Sequence, residues 1–241
     1  FLQKRAIPGV EVVSENAYLR TVRLKNRDGK KYCGWIRVQN CPKKNALAVT
    51  LSDALIPVLS QVLARVRALF DLYAEPNVIC ERLQTMNQIR PGACVLGLRV
   101  PGKQTLAWLS PKRWEALILG QQITVKAASS LAGKIALNYG TPIWTGVDGL
   151  THLFPEAEDM IALKDEIQER LGVLGVIAAR SRCILALAQA LESGEIALGI
   201  YVDPEQEMAK LMRIKGIGSW TAKYLAMRTM GWPDAFLEAD I

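Results

Sequence analysis

Residues 10–51 alternate apolar and polar positions with the two-residue period of a strand buried on one face. Residues 17–24 (AYLRTVRL) and 31–38 (KYCGWIRV) are two such runs, separated by a turn that contains Asp28-Gly29. Asp-Gly between alternating runs predicts a β-hairpin. Residues 46–51 (ALAVTL) form a third strand. Ser52-Asp53 then caps an amphipathic helix predicted over residues 54–72, with Arg65 and Arg67 on its polar side. Arg90-Pro91-Gly92 and Pro101-Gly102 interrupt the pattern. Beyond them the apolar spacing becomes helical. Segments are predicted over about 111–119, 123–139, 157–163, 164–171, 178–194, 204–213 and 220–230. The expected fold class is therefore α+β: an antiparallel-sheet domain with covering helices over residues 1–100, then an all-helical domain over 101–241.

Composition narrows the function classes. The 241 residues are 50% hydrophobic and 22% charged, which suits a folded chain with a sizeable core. The net charge of +7 suits a polyanionic partner such as nucleic acid. Five cysteines, Cys33, Cys41, Cys80, Cys94 and Cys183, include no C-x-x-C pair. That argues against a disulfide framework or zinc site and for a reducing compartment. One histidine, His152, cannot build a His-based metal site or a Ser-His relay, and it is read as a loop or helix-end residue. No apolar run reaches the ~20 residues of a membrane-spanning helix, so no membrane partner is expected. The start of the chain lacks a signal-peptide pattern. The expected location is the cytoplasm or nucleoid of a bacterium, or the nucleus of a eukaryote.

The densest chemistry lies in residues 211–224, LMRIKGIGSWTAKY. Asp203-Pro204 starts one helix, with a cap residue followed by a proline in the first turn. A second helix runs from about Trp220 to Met230. Gly216 and Gly218 separate them. Gly-x-Gly is common in plain tight turns, so by itself it decides little. Here Arg213, Lys215 and Lys223 surround it. Glycines in a turn expose backbone N–H groups, and the start of a helix favours an anion. The spacing describes a helix-hairpin-helix whose hairpin, Lys215 through Ser219, can grip a phosphate.

The stretch IKGIGSWTAKYLAMRTMGWPDAFLEAD resembles the core of the helix-hairpin-helix DNA glycosylases, above all the alkylation-repair branch typified by DNA-3-methyladenine glycosylase II. Residues 10–51 and the segment LFDLYAEP resemble that family's N-terminal domain, so the resemblance covers about residues 5–241. It implies excision of alkylated bases from double-stranded DNA by base flipping and hydrolysis of the N-glycosidic bond. It assigns the catalytic carboxylate to Asp240, with Glu238 and Asp234 as rivals by position. A carboxylate there would stabilise positive charge building on the sugar. Trp220 stands where bifunctional relatives carry a Schiff-base lysine, which implies a monofunctional enzyme that uses water. Trp220 and Tyr224, spaced i and i+4, would wall the base pocket and attract cationic bases. LILGQQITVKAA resembles the family's DNA-facing turn, with Gln121 in the turn and Gln122 as the wedge that fills the gap left by the flipped base. Gln122 departs from the leucine of the best-known member. Residues 172–175 with Arg180 and Arg182 resemble a second contact region.

The resemblance implies no organic cofactor and no bound metal cluster, since no cysteine follows Cys183. A monovalent cation on backbone carbonyls of the hairpin is compatible with it. The chain is expected to act as a monomer. Two other readings stay open at this point: an oxidised-guanine glycosylase of the same superfamily, and a DNA-binding module without catalysis. Phe1 and Ile241 look like cuts relative to the family, and a chain ending one residue after Asp240 is expected to excise bases more slowly than a longer one.

Overall fold

The computed structural model describes residues 2–92, 94–96, 123–199 and 201–237. Strands β1 (Glu11–Val13), β2 (Ala17–Lys25), β3 (Lys31–Cys41) and β4 (Ala46–Leu51) form an antiparallel sheet in the order β1-β2-β3-β4. The β2/β3 hairpin pairs Ala17 with Gln39 at one end and Lys25 with Lys31 at the other. Its turn is held by Asn26, whose Oδ1 accepts the N–H groups of Asp28 at 3.1 Å and Lys30 at 2.9 Å. Asn is suited to this because its short side chain can mimic a backbone turn.

Strand β2 is covered on both faces. Tyr18, Val22 and Leu24 pack with Ile36 and Val38 beneath Val62, Val66 and Leu69 of helix α1 (Leu59–Leu69). On the opposite face Ala17 and Leu19 meet Leu150, and the Thr21 hydroxyl donates to the His152 carbonyl at 2.7 Å. The sheet therefore lies between its own helix and the helical part of the chain.

The expected helix over 54–72 is shorter. Residues Asp53–Val58 form a 3-10 turn that contains Pro57, and the α-helix begins at Leu59. Proline lacks the N–H needed for an α-helical bond. Ser52 does not cap this helix through its side chain. Its Oγ accepts the Trp35 N–H at 3.1 Å and ties the turn to β3. Two short helices, α2 (Pro76–Arg82) and α3 (Gln84–Ile89), were not expected. Neither contains a buried residue, so the sequence carries no apolar stripe to reveal them.

The helical part comprises α4 (Val125–Tyr139), α5 (Ala157–Ile161), α6 (Ile167–Gly172), α7 (Ala178–Glu192), α8 (Pro204–Leu211) and α9 (Ser219–Leu225). Thr124, not Ile123, precedes α4, and its hydroxyl accepts the Ala127 N–H at 3.2 Å as an N-cap. Between α4 and α5 a small ribbon pairs β5 (Thr141–Pro142) with β6 (His152–Leu153). His152 is thus a strand residue rather than a loop residue. Ile135, Phe154, Met160, Ile184, Leu187 and Leu225 belong to one continuous core. Ile7 and Val10, from before the sheet, join that core as well. The segment expected over 111–119 and the expected boundary at 100/101 lie outside the described residues.

Charged groups join the sheet to the helical part. Glu156 caps α5 in a reciprocal capping box with Asp159. Its Oε2 also receives Lys31 Nζ at 2.6 Å and Arg23 at 3.2 Å. Burial pushes the Glu156 carboxyl up, but the Lys31 hydrogen bond and the nearby Arg23 charge outweigh it and hold the group below the ordinary carboxylate range. Because the folded pKa is depressed, the stabilisation is present above the unfolded value and is lost as pH falls through the folded one. Glu156→Gln should therefore lower unfolding free energy at pH 7 by about 2 kcal/mol. Denaturant titrations at a series of pH values should show that difference shrinking through the acid range, and a difference constant with pH would contradict the assignment.

Candidate DNA interface and base pocket

The hairpin is built from two well-anchored helices. Asp203 caps α8, its Oδ1 accepting the N–H groups of Glu205 at 3.0 Å and Gln206 at 3.3 Å, with Pro204 in the first turn. Glu207 is buried on this helix. It accepts the Ala197 N–H at 2.8 Å and pairs with Lys210 at 2.6 Å. The chain leaves α8 through bonds from Ile214 N–H to the Leu211 carbonyl and from Ile217 N–H to the Ile214 carbonyl, both 3.0 Å.

The two glycines have different tasks. Gly216 has φ +103°, a conformation that L side chains rarely adopt. A Cβ there would also lie 3.4 Å from the Cβ and Sγ of Cys183 on α7. Gly218 is extended, with φ −92° and ψ 176°, and is the N-cap of α9. A Cβ on Gly218 would meet nothing within 4 Å, so its backbone stands in the open. No side chain caps α9. The N–H groups of Ser219 and Trp220 lie in the first turn, where an α-helix offers no acceptor of its own.

The named hairpin residues divide accordingly. Lys215, Gly216, Gly218 and Ser219 are exposed, as is Arg213. Ile217, also named as a DNA-contact candidate, points the other way. Its side chain is 4% exposed and belongs to the helical core, and its N–H is used by the Ile214 carbonyl. The side chain of Ile217 anchors the hairpin in the core.

Helix α9 brings Trp220 and Tyr224 together. Their rings stack with centroids 5.0 Å apart and planes 11° apart. Both are half-buried. The helix continues as a π-turn, Ala226–Met230, inside which the Arg228 guanidinium lies 5.2 Å from the Tyr224 ring centroid. Sequence reasoning passed over Arg228, although its spacing, i+4 from Tyr224, was the available signal. Thr229 back-bonds to the Leu225 carbonyl at 2.8 Å. Trp232 closes the segment through its N–H on the Ala226 carbonyl at 3.2 Å.

Other candidates are engaged within the protein. Arg180 is buried, and Arg182 donates to Gln168 Oε1 at 2.7 Å. The Leu174 carbonyl, in the glycine loop before them, accepts Lys134 at 3.2 Å. Burial pushes the Cys183 thiol up to about 11, which makes it a packing group and not a nucleophile. Asp234, one rival carboxylate, is exposed, as is the neighbouring Phe236 at 75%. Asp240, Glu238, Gln121 and Gln122 lie outside the described residues. Among the described residues, no group of three or more His, Cys, Asp or Glu side chains could hold a metal ion. No helix among them is long and apolar enough to cross a membrane.

This architecture has known counterparts. The AlkA N-terminal domain family matches residues 1–105. A probable bifunctional transcriptional activator/DNA repair enzyme AlkA of Mycobacterium tuberculosis is 32% identical over 241 residues, which is 100% of this chain and 45% of the relative. The chain thus spans about half the length of that relative. DNA-3-methyladenine glycosylase 2 of Escherichia coli is 30% identical over 240 residues, covering 100% of this chain and 78% of the relative. Among solved structures, a 3-methyladenine DNA-glycosylase from Archaeoglobus fulgidus superposes with a TM-score of 0.69 at 20% identity, over 100% of this chain and 77% of that one. That last likeness is one of fold. Full coverage of this chain by the Escherichia coli relative and an N-terminal match to the AlkA domain together place it: the chain belongs to the DNA-3-methyladenine glycosylase 2 (AlkA) family of helix-hairpin-helix proteins.

Proposed function

We propose that this chain is a monofunctional DNA glycosylase that extrudes alkylated bases, of the 3-methyladenine type, from double-stranded DNA and hydrolyses their N-glycosidic bond. The observation that carries this reading is the coupling of two features on one helix. The open start of α9 at Gly218 can receive a backbone phosphate, and the first two turns of the same helix carry the Trp220–Tyr224 ring stack. A protein that holds a phosphate there presents an aromatic surface to the adjoining nucleotide. Relatives named as 3-methyladenine glycosylases support the substrate class.

In the proposed reaction, water attacks the sugar carbon as the base departs with the bonding electron pair. Positive charge develops on the sugar, and Asp240 stabilises it and orients the water. An alkylated purine that is already cationic is a good leaving group and needs little acid assistance. Its charge is attracted to an electron-rich ring. Gln122 would fill the gap in the duplex, Gln121 would contact the DNA beside it, and Lys215 and Ser219 would sit at the phosphate. No organic cofactor enters this scheme. A monovalent cation, if bound, would use hairpin carbonyls, of which the Ile214 oxygen already accepts one N–H and keeps a second lone pair. A monomer suffices for the proposed chemistry.

Asp240→Asn decides between a glycosylase and a binding module. Release of methylated bases should fall by about 10²-fold or more, while duplex affinity stays level or rises. Unchanged release would remove Asp240 from the mechanism.

Phosphate contact should make affinity salt-dependent and indifferent to sequence. Lys215→Gln is expected to weaken binding to every duplex and to reduce the slope of log K against log salt by about one. Sequence-selective loss in binding titrations would count against the hairpin grip.

Borohydride added during turnover should trap no covalent enzyme–DNA adduct, because the indole of Trp220 cannot form a Schiff base. A trapped adduct on a denaturing gel would instead point to an amine such as Lys223.

A further inference from the structure

Tyr224 has a neighbour on each side along its helix. Trp220 lies one turn toward the N-terminus, its ring stacked on the phenol at 5.0 Å. Arg228 lies one turn toward the C-terminus, its guanidinium carbon 5.2 Å from the phenol centroid. Side chains at i, i+4 and i+8 follow one stripe of a helix, and each turn rises about 5.4 Å. The two neighbours therefore approach the phenol from opposite ends of the helix, and each lies against its ring. Trp220 differs. Tyr224 stacks on one indole face, and Trp220 is only half-buried.

We propose that Arg228 is a positioning residue: it clamps Tyr224 against Trp220, so that the outer indole face is the surface of this helix that receives an extruded base. This assignment rests on the glycosylase reading for its substrate, but the clamp itself does not. A planar guanidinium is suited to the task because it stacks on an aromatic face and keeps its charge at every working pH. The π-turn over Ala226–Met230 is the local distortion that carries Arg228. With Tyr224 held between its two neighbours, the phenol contributes to catalysis through the position of Trp220 and not through its own stacking on the base. Tyr224→Leu, which removes the ring, should then displace Trp220 and slow release.

The test uses the full chain labelled with 5-fluorotryptophan, with the Trp220 resonance identified by its loss in Trp220→Phe. Arg228→Met should shift and broaden that resonance and lower single-turnover release of methylated bases about tenfold. Combined with Tyr224→Leu it should cost no more than Tyr224→Leu alone, since both act through the same ring. If Arg228→Met does not fold, Arg228→Lys, which keeps the charge but not the plane, reads the same resonance. An unmoved Trp220 resonance in a folded Arg228 variant overturns the clamp, and so does strict additivity of the two substitutions. A parent chain that releases no base, while the resonance still moves, defeats the glycosylase reading and leaves the clamp standing.

Discussion

The site depends on the burial of Ile217. A hairpin between two helices could be a loose surface loop, and this one is not. Ile217 enters the helical core, 4% exposed, and the chain reaches it only because Gly216 adopts φ +103° over Cys183. Burying such a side chain contributes about 2 kcal/mol, and withdrawing it would also leave a void in the helical core. The neighbours on either side are thereby fixed facing outward. Lys215 and Ser219 are exposed because Ile217 is not. In the proposed complex, a phosphate at Gly218 would meet donors that the fold has already ordered, which limits the entropy lost on binding.

The direction of α9 follows from the same anchor. Gly218 begins the helix, and the ring stack occupies its first two turns. The buried thiol beneath Gly216 and the buried carboxylate of Glu207 on α8 are part of this support rather than reactive groups. Farther away, β2 is buried on both faces, and Glu156 joins the sheet to the start of α5 through Lys31 and Arg23. The sheet is thus fastened to the helical part through hydrogen bonds and ion pairs as well as through apolar contact.

Much of this could be read from the chain because periodic burial leaves a periodic sequence. Residues 17–24 and 31–38 alternate, and they are strands of one hairpin. The helices from α4 to α9 each bury one stripe and were legible for that reason. Where burial and pattern part company, the reading failed. α2 and α3 bury nothing and left no stripe. Pro57 moved the start of α1 because a backbone donor was missing, which an apolar pattern does not register. Within the site, Gly216, Gly218, Trp220 and Tyr224 were legible from spacing. The inward turn of Ile217 was not, since a lone isoleucine between glycines suits either face. Nothing in the apolar pattern singles out Arg228 among the chain's many charges, and its place on the Tyr224 ring is a three-dimensional fact.

The central claim is that one helix both receives the phosphate and presents the aromatic face to the nucleotide beside it. The most direct measurement is a crystal structure of this chain bound to a duplex in which one nucleotide is a cationic, uncleavable pyrrolidine mimic of the sugar cation. The account predicts a backbone phosphate at the N–H groups of Ser219 and Trp220, and the mimic turned out of the stack beneath the outer face of Trp220. A complex in which the hairpin faces solvent, or in which the mimic remains stacked in the duplex with Trp220 elsewhere, would contradict it.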